Sequence, residues 1–246
     1  MILSVILLAF IAALCLPLAA VAVDSAADRS ALTSVYHSMG GVMWATQTNW
    51  LAPNVSMCLW YGVSCQTGCP SNSTSTECRA VELDLASNGL RGPIAPELEQ
   101  LVNLTSIVMG HNELSGTIPD FDTLSSLKWL DLNSASLTGS IPEFHRLVSL
   151  ERLELFENRL QGTLPSFVTS VRLAYLDLSP CYELVGTLPS FSNLIQMKTL
   201  YLSQNQFIGT IPSYATLVQL TTLYISKNLL VGAIPSFETL TQLHAL

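Results

Sequence analysis

The feature that most constrains this sequence is an internal repeat of 23 or 24 residues that begins near residue 80. Aligned on glycine, seven copies follow one another, at Gly92, Gly116, Gly139, Gly162, Gly186, Gly209 and Gly232. An aliphatic residue stands two positions after each glycine, and proline follows it in six of the seven copies. Because a unit this short cannot bury its own apolar face, the copies must stack on one another, which predicts a solenoid.

Each copy carries the signal of one short strand. Pairs of leucines separated by one residue predict a strand with one buried face, as at Leu83/Leu85, Leu130/Leu132, Leu153/Leu155 and Leu200/Leu202. Three residues after the pair, five copies carry asparagine, at Asn88, Asn112, Asn158, Asn205 and Asn228. These amides are predicted to form a ladder that satisfies backbone groups where the chain leaves the strand.

Two copies depart from the asparagine ladder, with Ala135 and Cys181 at the equivalent positions. We expect Cys181 to be a small, buried and inert substitute, and intermolecular pairing is the alternative. A second ladder is aromatic and is predicted to stack inside the solenoid; its members are Phe121, Phe144, Phe167, Phe191, Tyr214 and Phe237.

The first residues are predicted to direct export and not to form part of the fold. Residues 2–23 are almost entirely apolar, and Ala20-Val21-Ala22 is a small-x-small cleavage site, so residues 1–22 are predicted to be a secretory signal peptide. An uncleaved membrane anchor is the alternative. Three glycosylation sequons, at Asn54, Asn72 and Asn103, also favour export from the cell.

The cysteines agree with export as well. Four of them fall within 21 residues, and in an oxidising compartment this cluster predicts two disulfides; they are Cys58, Cys65, Cys69 and Cys78. Their spacings lack the paired C-x2-C form of zinc sites, so a metal centre is the weaker interpretation. The formal net charge of −8 excludes a basic nucleic-acid binder.

Several stretches resemble the plant-type leucine-rich repeat, L-x-x-L-x-L-x-x-N-x-L-x-G-x-I-P. Asn112-Glu-Leu-Ser-Gly-Thr-Ile-Pro119 and Asn158-Arg-Leu-Gln-Gly-Thr-Leu-Pro165 match it almost letter for letter, and Cys58-Leu-Trp-Tyr-Gly-Val-Ser-Cys65 resembles the N-terminal cap of that family. The resemblance implies an α/β solenoid, a right-handed coil with a short parallel sheet on its concave face and a helical, disulfide-bonded cap. The 23-residue period and the P-x-F step are also similar to leucine-rich surface proteins of protists, including kinetoplastids.

This resemblance divides the chain into a signal peptide (1–22), a cap (23–79) and repeats (80–246), with seven full units and the start of an eighth. Within the cap we favour pairing Cys58 with Cys65 and Cys69 with Cys78, although four cysteines allow three connectivities. One helix is expected, with Asp28 as its N-cap, Gly40 as its stop and one apolar face formed by Leu32, Val35, Tyr36 and Met39.

Side chains that flank the strand leucines are expected to point outward on the concave sheet in registered columns. They place aromatic residues beside an acidic stripe, and aromatics on a rigid concave surface are the usual anchors of an interface. The candidate ligand-binding residues are Asp84, Trp129, Asp131, Arg152, Glu154, Phe156, Tyr175, Asp177, Tyr201 and Tyr224. The stripe would favour basic or hydroxyl-rich ligands, and the alternative is that its carboxylates are only a solvated surface.

Catalysis is not expected from this surface. Asp131, Glu154 and Asp177 lie on adjacent strands, where carboxylates can act as a glycosidase pair or as Ca²⁺ ligands. An open sheet, however, would leave them in water with no burial to separate their pKa values. The scattered histidines offer no nucleophile–base pair, so we expect no enzyme, no cofactor and no metal.

We therefore expect a recognition module, secreted or on the extracellular side of the plasma membrane, that captures a protein, peptide or glycan on its concave face. By resemblance it would be the ectodomain of a receptor-like protein or surface antigen, and the alternative is a secreted inhibitor of an extracellular enzyme, similar to polygalacturonase inhibitors. No nucleic-acid partner is expected. Residues 243–246 begin an eighth unit without a C-terminal cap. This predicts either a longer protein with membrane attachment or a dimer or co-receptor partner that covers the open end.

Overall fold

The computed structural model describes residues 23–69 and 77–246. The predicted signal peptide and the Asn72 sequon lie outside these residues. In the described part, each turn of the chain adds one strand to an inner sheet and one to an outer sheet, so the repeat units form a continuous solenoid as the sequence period predicts.

The inner sheet lines the concave face and has eight strands in the described residues. Seven of them are parallel and in register, so equivalent residues of successive repeats lie side by side. The strands are β2 (Val63–Cys65, antiparallel to its neighbour), β4 (Ala80–Asp84), β6 (Ser106–Val108), β8 (Trp129–Asp131), β10 (Arg152–Glu154), β12 (Tyr175–Asp177), β14 (Thr199–Tyr201) and β16 (Thr222–Tyr224).

The outer sheet is formed by the segments that contain the repeat glycines. Its strands are β5 (Arg91–Pro93), β7 (Glu113–Gly116), β9 (Ser136–Ser140), β11 (Arg159–Thr163), β13 (Glu183–Thr187), β15 (Gln206–Gly209) and β17 (Leu229–Leu230). Gly186 shows why glycine recurs here. Its φ is +86°, and a Cβ would lie 2.9 Å from Cγ2 of Thr163 in the preceding turn, so a side chain would be both strained and crowded.

Leucines and the aromatic ladder fill the space between the two sheets. Five of the six ladder residues are fully buried, and Phe237 in the last turn is partly buried. Phe191 stacks between its neighbours, with its ring centroid 6.3 Å from that of Phe167 and 6.4 Å from that of Tyr214. The predicted interior aromatic stack is thus present, and it continues the core from turn to turn.

The asparagine ladder ties each turn to the previous one. The Asn158 amide donates to the carbonyls of Leu132 (2.8 Å) and Leu155 (2.9 Å), and its oxygen accepts the Leu137 N–H (3.0 Å). Cys181 takes the same place one turn later, where its buried thiol donates to the Leu155 carbonyl at 3.3 Å. Burial raises the pKa of this thiol to about 12, so it is a structural substitute as expected.

In its described residues, the N-terminal cap contains one α-helix, α1 (Ala26–Ser38), and two 3₁₀ helices (Gly41–Met43 and Met57–Leu59). Two short strands, β1 (Val23–Asp24) and β3 (Glu77–Cys78), pair beside them. The prediction that Asp28 caps the helix is wrong, since the Ser25 hydroxyl accepts the Asp28 N–H at 3.4 Å. Asp28 is instead fully buried, and its carboxylate accepts from the Arg79 guanidinium (2.7 Å) and the Ala80 N–H (2.9 Å). These bonds fasten the helix to the start of β4, because a carboxylate in the first turn can reach across to the adjacent strand.

Tryptophans and disulfides complete the cap. The Trp50 ring centroid lies 4.9 Å from those of Trp44 and Trp60, and all three residues are buried beneath α1. The disulfides join Cys58 to Cys65 and Cys69 to Cys78, the two pairs favoured from the sequence. Among residues 23–69 and 77–246, no helix has the length and apolar character needed to cross a membrane.

Candidate ligand-binding surface

A ridge of side chains crosses five adjacent strands of the concave sheet, and it consists of Trp129, Arg152, Tyr175, Tyr201 and Tyr224. Ring centroids are separated by 5.9 Å between Tyr175 and Tyr201 and by 5.2 Å between Tyr201 and Tyr224. At the other end, the Arg152 guanidinium lies 3.9 Å from the Tyr175 centroid and 5.6 Å from the Trp129 centroid. Because the strands are in register, this cation–π contact joins the tryptophan to the tyrosines without a gap.

The ridge remains accessible despite its internal packing. Trp129 is 37% exposed and Tyr224 is 42% exposed, while Tyr175 and Tyr201 are half-buried against their neighbours. Burial and the nearby carboxylates of Asp177 and Glu154 raise the pKa of Tyr175 to about 12, so its hydroxyl stays neutral at physiological pH. The surface therefore offers rigid aromatic faces together with neutral hydroxyl groups.

The acidic stripe differs from the solvated stripe expected from the sequence. Asp131, Glu154 and Asp177 are 7%, 6% and 9% exposed, respectively, because the flanking aromatic residues and Arg152 cover them. The prediction that an open sheet leaves these carboxylates without burial is therefore wrong. Burial is the largest cause of a raised pKa at both Asp131 and Asp177.

Two of these buried carboxylates have strong partners. Glu154 accepts from the Arg152 Nε at 2.5 Å and from the Trp129 indole at 2.9 Å. The hydrogen bond with Glu154 is also the main reason that the pKa of Arg152 is raised. Asp131 accepts from both the backbone N–H (3.0 Å) and the side-chain amide (2.6 Å) of Asn133. Both groups are thus held in fixed positions by charge-assisted hydrogen bonds.

The Asp177 carboxylate has weaker partners than those of Glu154 and Asp131. Its carboxylate accepts the Ser179 N–H at 2.9 Å, and no ion pair reaches it from the described residues. Burial outweighs this hydrogen bond and raises its pKa to about 6. The adjacent cavity of about 270 Å³ is lined by Asp177, Ser179, Tyr201, Ser203, Gln204 and Tyr224.

The structure brings most of the predicted site residues together on β8 to β16. Asp84 lies apart on β4 near the cap, where it is exposed and separated from the ridge by β6. Phe156 follows β10 and is half-buried, and it makes no ring contact with the ridge within the described residues. The prediction omitted Ser179, Ser203 and Gln204. Ser179 and Ser203 stand two residues after Asp177 and Tyr201, in the same outward-facing column as Phe156, so the same repeat alignment would have located them.

Two further predictions concern the glycosylation sequons and the possibility of a metal site. Asn54 and Asn103 are exposed, as an acceptor for glycosylation must be. Among residues 23–69 and 77–246, no group of three or more histidine, cysteine, aspartate or glutamate side chains is arranged to hold a metal ion.

Parallel turns, an asparagine ladder and a concave sheet define a leucine-rich-repeat solenoid, and a family model described as Leucine Rich Repeat matches residues 196–215. The chain resembles plant-type leucine-rich-repeat ectodomains. The receptor-like kinase TMK4 of Arabidopsis thaliana is 42% identical over 69 residues, which are 28% of this chain and 6% of that kinase.

Solved structures show the same likeness. The ectodomain of the receptor kinase GASSHO1/SCHENGEN3 from Arabidopsis thaliana, in complex with CASPARIAN STRIP INTEGRITY FACTOR 2, matches with a TM-score of 0.76 and 30% identity over 88% of this chain and 25% of that chain. The Arabidopsis HAESA ectodomain, in complex with an extended IDA peptide hormone ligand, matches with a TM-score of 0.63 and 25% identity over 89% of this chain and 40% of that chain. The present chain spans less than half the length of each.

Proposed function

We propose that this chain is the recognition part of a receptor-like or surface protein on the extracellular side of the membrane. In this proposal, the concave sheet captures a protein or peptide ligand by non-covalent contact. The observation that carries it is the ridge from Trp129 to Tyr224, since rigid, partly exposed aromatics are typical anchors of protein interfaces. Ectodomains similar to this chain are bound to peptide ligands, which supports the same class of ligand.

The proposal is tested by selecting ligands from a random-peptide display library and measuring their affinities by fluorescence anisotropy. Trp129→Ala and Tyr175→Ala should each weaken binding at least tenfold, because truncation removes an anchor of about 1.5 kcal/mol or more. Val148→Ala is the matched control, since Val148 is an exposed apolar residue outside the inner sheet. Equal affinity of all four proteins would show that the concave ridge is not the binding surface.

Two further assays address the other ligand classes. If the protein binds no peptide but binds a glycan on an array saturably, and the ridge variants lose this binding, the ligand is a carbohydrate. Inhibition of a polygalacturonase that is lost in Trp129→Ala would support the inhibitor alternative instead. Failure of all three assays would overturn the recognition function.

A further inference from the structure

The cavity beside Asp177 differs from the rest of the concave face, because it joins a buried carboxylate to two aromatic rings. We propose that this cavity binds a cationic side chain of a peptide ligand, arginine in particular, with the Asp177 carboxylate as its counter-ion and with Tyr201 and Tyr224 lining one side of the bound group. This inference rests on the proposed function and names the chemical group that anchors the ligand.

The charge balance of the stripe is the first argument. Glu154 is ion-paired with Arg152 and Asp131 accepts two N–H bonds from Asn133, whereas Asp177 forms no ion pair within the described residues and feels the charge of Arg152 only at longer range. A buried carboxylate without a counter-ion is unfavourable. Arg152 does not fill this role because its guanidinium is bonded to Glu154 and stacked on Tyr175. A cation supplied by a ligand would therefore stabilise Asp177.

The shape and lining of the cavity are the second argument. Its volume of about 270 Å³ exceeds what a guanidinium group and its stem occupy, and two tyrosine rings with centroids 5.2 Å apart form one side. A planar guanidinium stacks on aromatic faces and donates several hydrogen bonds in one plane, which a lysine ammonium does not do. The geometry thus favours arginine over lysine.

Unused acceptors in the cavity are the third argument. Ser179 lines the cavity, and its hydroxyl oxygen is buried without a hydrogen-bond partner within the described residues. The Ser203 hydroxyl is 3.2 Å from that of Ser226, which leaves an oxygen lone pair free at the rim. Guanidinium N–H groups are the complement of such acceptors.

Binding at this cavity should depend on pH. The groups that face Asp177 are Glu154 and Arg152 on β10, Tyr175 on β12, Tyr201 on β14 and the thiol of Cys181. With burial as the largest cause, the pKa of Asp177 is raised to about 6. Above this pH the carboxylate is charged and attracts a cation, and below it the protonated group does not.

The test uses the full chain and two small probes, Nα-acetyl-arginine amide and its neutral isostere Nα-acetyl-citrulline amide, titrated by NMR. The unmodified protein should bind the arginine probe about tenfold more tightly at pH 7.5, and this preference should fall toward unity at pH 5. Asp177→Asn should abolish the preference at both pH values. Asp122→Asn, which neutralises an exposed carboxylate outside the inner sheet, should retain it.

Asp177→Asn should fold, because the amide oxygen can still accept the Ser179 N–H, and a thermal melt checks this. Equal binding of the two probes to the unmodified protein, or an arginine preference that survives Asp177→Asn, would overturn the inference. If that happens while selected peptides still lose affinity in Trp129→Ala, the cationic anchor is wrong and the recognition function stands. If the selected peptides also bind Trp129→Ala with unchanged affinity, the proposed capture of peptides on the ridge is wrong as well.

Discussion

At the scale of single residues, Asp131, Glu154 and Asp177 hold equivalent positions in consecutive repeats, yet their surroundings differ. The difference comes from the neighbouring column, where Trp129, Arg152 and Tyr175 are distinct in size and charge. Glu154 is neutralised by Arg152, whereas the pKa of Asp177 is raised to about 6. Equivalent backbone positions therefore carry carboxylates in different electrostatic surroundings.

This difference predicts a specific dependence of stability on pH. Because burial raises the pKa of Asp177 above its ordinary value of 3.8, its ionisation destabilises the folded state as pH rises from about 4 to about 6. Asp177→Asn should therefore be close to the unmodified protein in stability at pH 4 and more stable by about 2 kcal/mol at pH 7. Urea unfolding at both pH values measures this difference. A constant difference between the two proteins from pH 4 to pH 7 would contradict it.

At the scale of structural elements, the asparagine ladder determines how one turn stacks on the next. The amides of Asn112, Asn158 and Asn205 bond to carbonyls of their own turn and of the preceding turn, as Asn112 does with Met109 and Leu85. These groups are buried, so losing one amide leaves several backbone groups without partners.

Asn158→Ala should therefore lower the free energy of unfolding by about 2–3 kcal/mol, because it removes three buried hydrogen bonds worth about 1 kcal/mol each. Gln161→Ala, at an exposed site in the same turn, should change it by less than about 0.5 kcal/mol. Chemical denaturation of the two variants provides the comparison. Equal stability of both would mean that the ladder is not an energetic link between turns.

At the scale of the whole molecule, the cap seals the first turn of the solenoid. Asp28 and Arg79 join α1 to β4, and Arg29 bridges Asp24 (2.6 Å) to the carbonyl of Ala52 (2.6 Å). Neighbouring turns contact one another in sequence, so stability propagates from end to end through these interfaces.

Asp28→Asn should loosen the cap, because it removes the buried charged partner of the Arg79 guanidinium at 2.7 Å and leaves only the more distant Glu77 at 3.8 Å. We expect a loss of about 2 kcal/mol and faster exchange of the amide hydrogens of α1, measured by hydrogen–deuterium exchange. Asp122→Asn neutralises an exposed carboxylate in the repeats and should leave exchange in α1 unchanged. Unaltered protection of α1 in Asp28→Asn would show that this ion pair does not hold the cap.

Much of the fold could be predicted because it follows from local pattern. The spacing of the leucines predicts the strands, and the asparagines that recur at one period predict the ladder. The error at Asp28 has a different origin. A carboxylate at the start of a helix fits an N-cap by local rules, and its burial against Arg79 depends on a strand 51 residues away.

The sequence by itself determined the solenoid, its register and the columns of residues on the concave sheet, because a repeated unit that cannot bury its own apolar face must stack in phase. Only the tertiary structure decided which members of those columns are exposed, which carboxylate has a cation and where a cavity opens. The physical reason is that these properties depend on side chains from adjacent turns. Arg152 neutralises one carboxylate and leaves Asp177 beside a cavity without a counter-ion among the described residues.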